Sequence, residues 1–421
     1  MKVRYLTLAV LVLAALVTAS IVSAEWTYEL SYYVPYTDYG IDTAVMVGSE
    51  ILVGASNTST QEDAAVFVLD TDLNAVASYN ITSQADVIRA LDAKGDLIAV
   101  GAEYGNATVF VINRTDASVL GPVTIESEGG LGYSATVEKI AFSGDYVFAL
   151  VLDDYDLSYY LYILNKTPSV VSSEPVGAMA DIARVENSDY LLYWNGSSYI
   201  YIVNGTNGTL DIVDSINVTG MIYGFAGYYN SSENSIYAVY GTDTGVFLAK
   251  YTIGTGLDYN IKISNETSLT PVYVAPTVDG LYIVTSDGYG YRVKNTTSPI
   301  VEIEAIPVGA FGYYYGSEYI YALQDGEIRR YMLEIEYVTT TTTETVTETY
   351  TPAVTVYDTV TTTATKTVTE TETQVVYIYT APKTETVTTT VQGPYTETDL
   401  LFAGIITFLL GLAAAYLLRR R

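Results

Sequence analysis

Between Trp26 and Tyr337 the chain is a succession of short apolar or alternating runs cut by Gly, Asn, Asp and Ser. No stretch carries a sustained 3.6-residue period. Strands joined by tight turns are therefore predicted throughout. Seven runs share one form, a turn residue followed by an apolar strand: SEILVGA, GDLIAVGA, GDYVFALV, SDYLLYW, NSIYAVY, DGLYIVTS and SEYIYALQ. Their first strand residues, Ile51, Leu97, Tyr146, Tyr190, Ile236, Leu281 and Tyr319, are spaced by 46, 49, 44, 46, 45 and 38. A second strand with a polar turn follows, as in VFVLDTD from Val66, VFVINRTD from Val109, LYILNKTP from Leu161 and IYIVNGTNG from Ile200. A third comes after it, such as Ala75 to Tyr79 or Val119 to Ile125. With the strand preceding each anchor, the unit has four strands.

Four strands in about 45 residues is the length of a β-propeller blade, whereas tandem β-sandwiches would repeat at about 100 residues. The expected fold is all-β, a seven-bladed β-propeller over residues 25–337. The last unit runs out after Arg330 to Ile335, one strand short. Trp26 to Val34 has no unit of its own, so it is predicted to complete the last blade and close the ring. The 42 tyrosines suit such strands, where the ring packs and the hydroxyl reaches water.

The ends of the chain predict where it works. Lys2 and Arg4 precede an almost unbroken apolar run from Tyr5 to Val22, and Val22-Ser23-Ala24 places small residues before Glu25. This is the layout of a secretory signal peptide, residues 1–24. Leu400 to Leu418 contains no charge. As a helix it would span about 28 Å, close to the bilayer core. Asp399 precedes it, and Arg419, Arg420 and Arg421 follow as a cytoplasmic tail. The expected location is the cell membrane, single-pass, with the propeller outside. Residues 338–399 lie between. Of the 61 residues 338–398, 27 are threonine, a composition that buries too little apolar surface to fold alone and reads as an extended, O-glycosylated stalk.

Composition narrows the chemistry. Setting aside the two basic residues of the leader and the three of the tail, 14 basic residues face 48 acidic ones, a net charge of −34. Such a surface repels nucleic acid and anionic lipid. With no cysteine and no histidine, Ser–His–Asp and Cys–His catalysis and Cys/His zinc sites are excluded, as is a small disulfide-stapled module. Asn-x-Ser/Thr triplets at Asn57, Asn80, Asn106, Asn113, Asn165, Asn195, Asn204, Asn207, Asn217, Asn230, Asn265 and Asn295 are N-glycosylation candidates on an exported chain.

The VFVLDTD and IYIVNGTNG turns resemble the repeats of pyrroloquinoline-quinone-type and related surface-layer β-propellers. The tryptophan that often ends the quinoprotein blade is missing: only Trp26 and Trp194 occur. The order of leader, repeats, threonine-rich stalk and C-terminal anchor resembles archaeal stalked surface glycoproteins. That likeness implies partners among envelope or surface-layer proteins and glycans.

Three constellations stand out. Asp70-x-Asp72-x-Asn74 opens like a calcium loop, but it lacks the glycine and distal glutamate of an EF-hand and sits where a turn needs Asp and Asn anyway. Calcium is the one cofactor it suggests. Asp153, Asp154 and Asp156 form a second acidic loop. The third constellation is basic: ADVIRAL, ATVEKIA and ADIARVE lead into three consecutive units, so Arg89, Lys139 and Arg184 are expected at one repeat position, facing the channel. There they would either hold an anion such as sulfate or an acidic sugar, or pair with Asp86, Glu138 or Asp181. The reading is a non-enzymatic binding or scaffolding ectodomain. The alternatives are a hydrolase using channel carboxylates, of which no pair is singled out, and an anion-capture protein serving a transporter.

Overall fold

The computed structural model describes residues 25–34, 38–57, 63–82, 85–130, 132–296, 298–334, 340–350 and 362–372. The leader and the apolar segment 400–418 lie outside the described residues, and no described helix is long and apolar enough to cross a membrane. In chain order, β1 (Glu25–Tyr32) precedes a run of antiparallel four-stranded groups. The first comprises β2 (Tyr39–Val47), β3 (Glu50–Asn57), β4 (Asp63–Leu69) and β5 (Ala75–Thr82). Next come β6 (Val87–Lys94), β7 (Leu97–Tyr104), β8 (Asn106–Asn113) and β9 (Ser118–Ile125), then β10 (Ala135–Ser143), β11 (Tyr146–Asp153), β12 (Ser158–Asn165) and β13 (Val170–Gly177). β14 (Asp181–Glu186), β15 (Tyr190–Trp194), β16 (Tyr199–Asn204) and β17 (Asp211–Asn217) follow. They are joined through a short parallel pairing of Val185 and Glu186 with Gly227 and Tyr228 to β18 (Ile222–Asn230), β19 (Ser235–Thr242), β20 (Gly245–Thr252) and β21 (Gly256–Ser264). The last full group is β22 (Pro271–Pro276), β23 (Gly280–Thr285), β24 (Tyr289–Lys294) and β25 (Ile300–Ala305).

The remaining strands, β26 (Ala310–Tyr314), β27 (Tyr319–Gln324) and β28 (Glu327–Glu334), lack a fourth of their own, and β1 supplies it by pairing antiparallel with β28. The inner strands touch in cyclic order, β2 to β6, β10, β14, β18, β22, β26 and back to β2. The architecture is propeller-like and, among the described residues, without helix.

Burial explains the strand patterns. The second and third strands of a blade are covered on both faces by the neighbouring blades, so they read as continuous apolar runs: β3 and β8 each have six consecutive buried residues. The outer strands face water, and β13 is exposed along almost its whole length. The core is correspondingly divided into clusters between neighbouring blades. Leu52, Val66 and Val68 meet Ile88, Ile98 and Phe110 in one; Met46, Ile51 and Phe67 meet Tyr282, Tyr313 and Ile320 where the ring closes. Close approach demands glycine at Gly54, where a Cβ would stand 2.6 Å from the Ile88 Cγ2 of the next blade. The closing strand is clamped by Arg330, which pairs with Glu29 at 3.1 Å and Asp72 at 2.7 Å and lies over the Tyr319 ring at 4.1 Å.

Two strands are described within the threonine-rich segment. β29 (Thr340–Tyr350) and β30 (Thr362–Glu372) pair antiparallel, with threonine opposite threonine at every second position from Thr341 and Thr371 to Thr349 and Thr363. β-Branched threonine and valine favour extended pairing.

Two outcomes follow from this packing. Removing residues 25–34 leaves β28 as an unpaired edge and should produce self-association and loss of a single cooperative melt, read by size-exclusion chromatography and thermal denaturation. Gly54→Val should cost about 2 kcal/mol by overpacking against Ile88, measured by denaturant titration.

Candidate functional site: the central channel

The inner strands carry a repeated irregularity. A β-bulge interrupts pairing with the second strand at Asp42, Arg89, Glu138, Tyr223, Val272 and Phe311, and β14 alone lacks it. A bulge leaves one residue unpaired and re-aims its side chain. The strands surround a cavity of about 310 Å³, and every one of them contributes to its wall. Asp42 belongs to an adjoining pocket with Arg89 and Glu138. The end of the ring at which the inner strands begin is called the upper face, and the end with the turns into the second strands the lower.

Arg89, Lys139 and Arg184 all line this cavity, but they do not share a repeat position. Arg89 is a bulge residue, whose counterpart in β10 is Glu138. Lys139 is the next residue and faces Leu150, the fifth residue of β11. Arg184 faces Leu191, the second residue of β15, and so sits closer to the lower face. A bulge in two strands but not in the third shifts the register that the spacing in sequence implied.

Their partners differ as well. Arg89 is 48% exposed and pairs with Glu103 on β7 at 2.8 Å, not with Asp86. Lys139 is exposed and makes no ion pair within 4 Å among the described residues. Its charge still favours the ionised form of Asp181, whose carboxyl burial pushes above the usual range. The Arg184 side chain is only 9% exposed and holds two carboxylates, Asp92 at 3.1 Å from the other side of β10 and Glu186 at 2.8 Å on its own strand. Asp92 in turn accepts the Phe142 N–H at 2.7 Å, and the Gly48 backbone of the β2–β3 turn favours the ionised form of Glu186. Tyr273 on β22 closes the group by donating to the Gly48 carbonyl at 3.4 Å. The lower channel is thus tied across the ring by a polar cluster rather than left as a basic funnel.

One guanidinium between two buried carboxylates leaves one negative charge uncompensated. Burial therefore pushes Glu186 up to about 7 and raises Asp92, with Arg184 opposing both shifts. Over the whole wall, Arg89, Lys139 and Arg184 are offset by Asp92, Glu138, Asp181 and Glu186. Asp92 and Glu186 were not singled out in the sequence. A lone carboxylate inside an apolar strand, as in the VIRALDAK of β6, is the signal that points to Asp92.

The other candidates resolve into turns. The Asp70 carboxylate accepts the Asp72 and Asn74 N–H groups at 2.9 and 2.8 Å and the Asn74 side-chain amide. Asp72 is taken by Arg330. Asp70, Asp72 and Asn74 therefore form an Asx turn and a ring clamp, and no cluster of three acidic residues suited to a metal occurs among the described residues. Asp153 is drawn inward to Ser127, while Asp154 and Asp156 remain exposed. None of the twelve sequon asparagines is buried. Several use the side-chain oxygen to hold a turn, as when Asn204 accepts the Thr206 N–H at 3.1 Å and the hydroxyl at 2.8 Å.

This strand order defines the class: an all-β, propeller-like protein. No protein-family model matches the sequence, and no curated protein matches it. Among solved structures, the chain is similar to the β-propeller domain of Myceliophteria thermophila Cps50 (Swd1), at 13% identity, TM-score 0.48, covering 72% of this chain and 99% of that one. The Dos1 propeller aligns at 15% identity, TM-score 0.47, over 69% and 77%. The WD40 domain of Neurospora crassa Pan2 aligns at 11% identity, TM-score 0.48, over 74% and 96%. Likeness at this level carries no argument about activity or partners.

The Arg184 cluster makes stability depend on pH. Because the folded state holds the Glu186 proton more tightly than the unfolded chain, its contribution is complete below the ordinary glutamate value of 4.5 and is lost as pH rises toward about 7. Glu186→Gln should flatten the fall in thermal stability between about pH 5 and pH 8, by at most ~3 kcal/mol. Arg184→Met, which strands both carboxylates, should cost ~3–5 kcal/mol at neutral pH by denaturant unfolding.

Proposed function

We propose that this chain is a cell-surface glycoprotein whose seven-bladed β-propeller binds or scaffolds envelope proteins or glycans without catalysing a reaction. A leader at residues 1–24 exports it, and the threonine-rich segment 338–399 holds it off a membrane crossed by residues 400–418, with 419–421 inside. The observation that carries this reading is the polarity of the ring. Glu25 at the start of β1 is paired with Glu334 at the end of β28, so both lie on the lower face, and the chain continues from there into the threonine-rich segment. Neither of these two strand ends lies on the upper face. Exposed Tyr104, Tyr133, Tyr155, Met179, Met221 and Tyr223 are carried there by the strand starts and loops that surround the channel mouth. Aromatic and methionine side chains exposed together on one face suit recognition. Within the channel the carboxylates of Asp92 and Glu186 are both engaged by Arg184, which favours binding over hydrolysis.

Whole cells treated with protease should release a fragment spanning residues 25–334 by cleavage within 338–399, detected by mass spectrometry. Complete protection of that fragment in intact cells would refute the topology.

Lys139 supports a second reading, capture of a small anion at the upper mouth. It is the one cation of the three with no carboxylate within 4 Å among the described residues. Sulfate or galacturonate should then raise the melting temperature of the parent, and Lys139→Ala should abolish the shift while Arg184→Met retains it. No shift in the parent removes this reading.

A further inference from the structure

The described parts of the β9–β10 connection, Glu126–Gly130 and Gly132–Ser134, and the β11–β12 loop, Asp154 to Leu157, rise side by side on the upper face. Asp153, buried at the end of β11, fastens them: it accepts the Ser127 hydroxyl at 2.5 Å, the Glu128 N–H at 2.7 Å and the Tyr155 N–H at 2.9 Å. Ser134 adds a second tie by donating to Asp154. Upon this base stand Tyr133 and Tyr155, 47% and 55% exposed, with ring centroids 4.9 Å apart at 77°. Gly129 backs both rings: a Cβ there would lie 2.5 Å from the Tyr155 ring and 2.7 Å from that of Tyr133. Two large rings are thus held apart from the core in a fixed mutual geometry, by a residue that tolerates no side chain.

The charged side chains of the two loops are all acidic. Glu128, Asp154 and Asp156 are exposed, and Tyr160 donates its hydroxyl to Asp156 at 3.2 Å. Neither the segment Glu126–Ser134 nor Asp153–Tyr160 contains a lysine or arginine. Aromatic faces offer a stacking surface to the C–H face of a pyranose ring, and carboxylates accept hydrogen bonds from its hydroxyls. An acidic or phosphorylated ligand would meet repulsion from these carboxylates.

We infer that Tyr133 and Tyr155, with Glu128, Asp154 and Asp156, form a binding site for neutral glycans on the upper face. This deepens the surface-recognition reading by naming a site and a ligand class, and it is independent of the channel and of Lys139. The rings are pre-organised, so the ligand meets little ordering cost on the protein side.

The test uses the full-length chain in a sugar-free detergent, with mannopentaose and cellopentaose as neutral probes, trigalacturonate as acidic probe and a short polylysine peptide as protein-like competitor. Calorimetry gives affinity, and saturation-transfer NMR identifies the sugar protons in contact. At least one neutral probe should bind, with transfer concentrated on its C–H protons, and trigalacturonate should not. Tyr133→Ala and Tyr155→Ala should each weaken binding about tenfold. Tyr155→Phe should retain most of the affinity and Gly129→Ala should lose it, with melting temperatures checked for all four variants. Binding that survives both alanine variants overturns the site. Binding of polylysine alone, or of no probe, overturns the ligand class. Any of these leaves the whole-cell protease result, and hence the surface reading, standing or falling by itself.

Discussion

Everything in this molecule depends on burying both faces of each inner sheet against the blades on either side. A single four-stranded sheet has two apolar faces and no means of covering either. Placed in a ring, each sheet lends its faces to its neighbours, and the clusters between blades become one closed belt. The belt is complete only if the last sheet is complete, which is why β1, first in the chain, is recruited beside β28. Arg330 fastens that seam to Asp72 of the first full blade, so closure rests on packing, strand pairing and charge together.

The same arrangement shapes the channel. Crowding the inner strands around an axis brings side chains from distant parts of the sequence within a few ångströms, and the bulges decide which of them project at the mouth. Where polar groups are forced together they find one another: Arg184 reaches past β10 to Asp92 and along its own strand to Glu186. The cost of burying two carboxylates on one cation appears as the raised affinity of Glu186 for its proton.

The proposed recognition surface lies on the upper rim, whereas Glu25 and Glu334, at the outer ends of the closing strand pair, lie on the lower face. At Tyr133 and Tyr155 a buried aspartate organises two loops that themselves stay outside. Rigid support beneath exposed rings distinguishes such a feature from incidental surface tyrosine, of which this chain has much.

Much of the fold was legible in the residues alone. The recurrence of an apolar strand after Asp or Gly, and the orphan strand at Trp26, follow from local rules of turn chemistry and from the covering of both strand faces, and those rules act within a few residues. The composition also determined what chemistry is absent, since no arrangement creates a histidine or a cysteine. What required the tertiary structure was whatever turns on register and on distance across the ring. Arg89, Lys139 and Arg184 look equivalent in sequence, yet a bulge moves one rung between Arg89 and Lys139, and the missing bulge in β14 leaves Arg184 near the lower turns. The calcium-like Asp70–Asp72–Asn74 loop became half turn and half clamp because Arg330, far along the chain, folds back beside it. The partners Asp92 and Glu186, and the meeting of Tyr133 with Tyr155 over Gly129, arise from three-dimensional closure, which no spacing along the chain encodes.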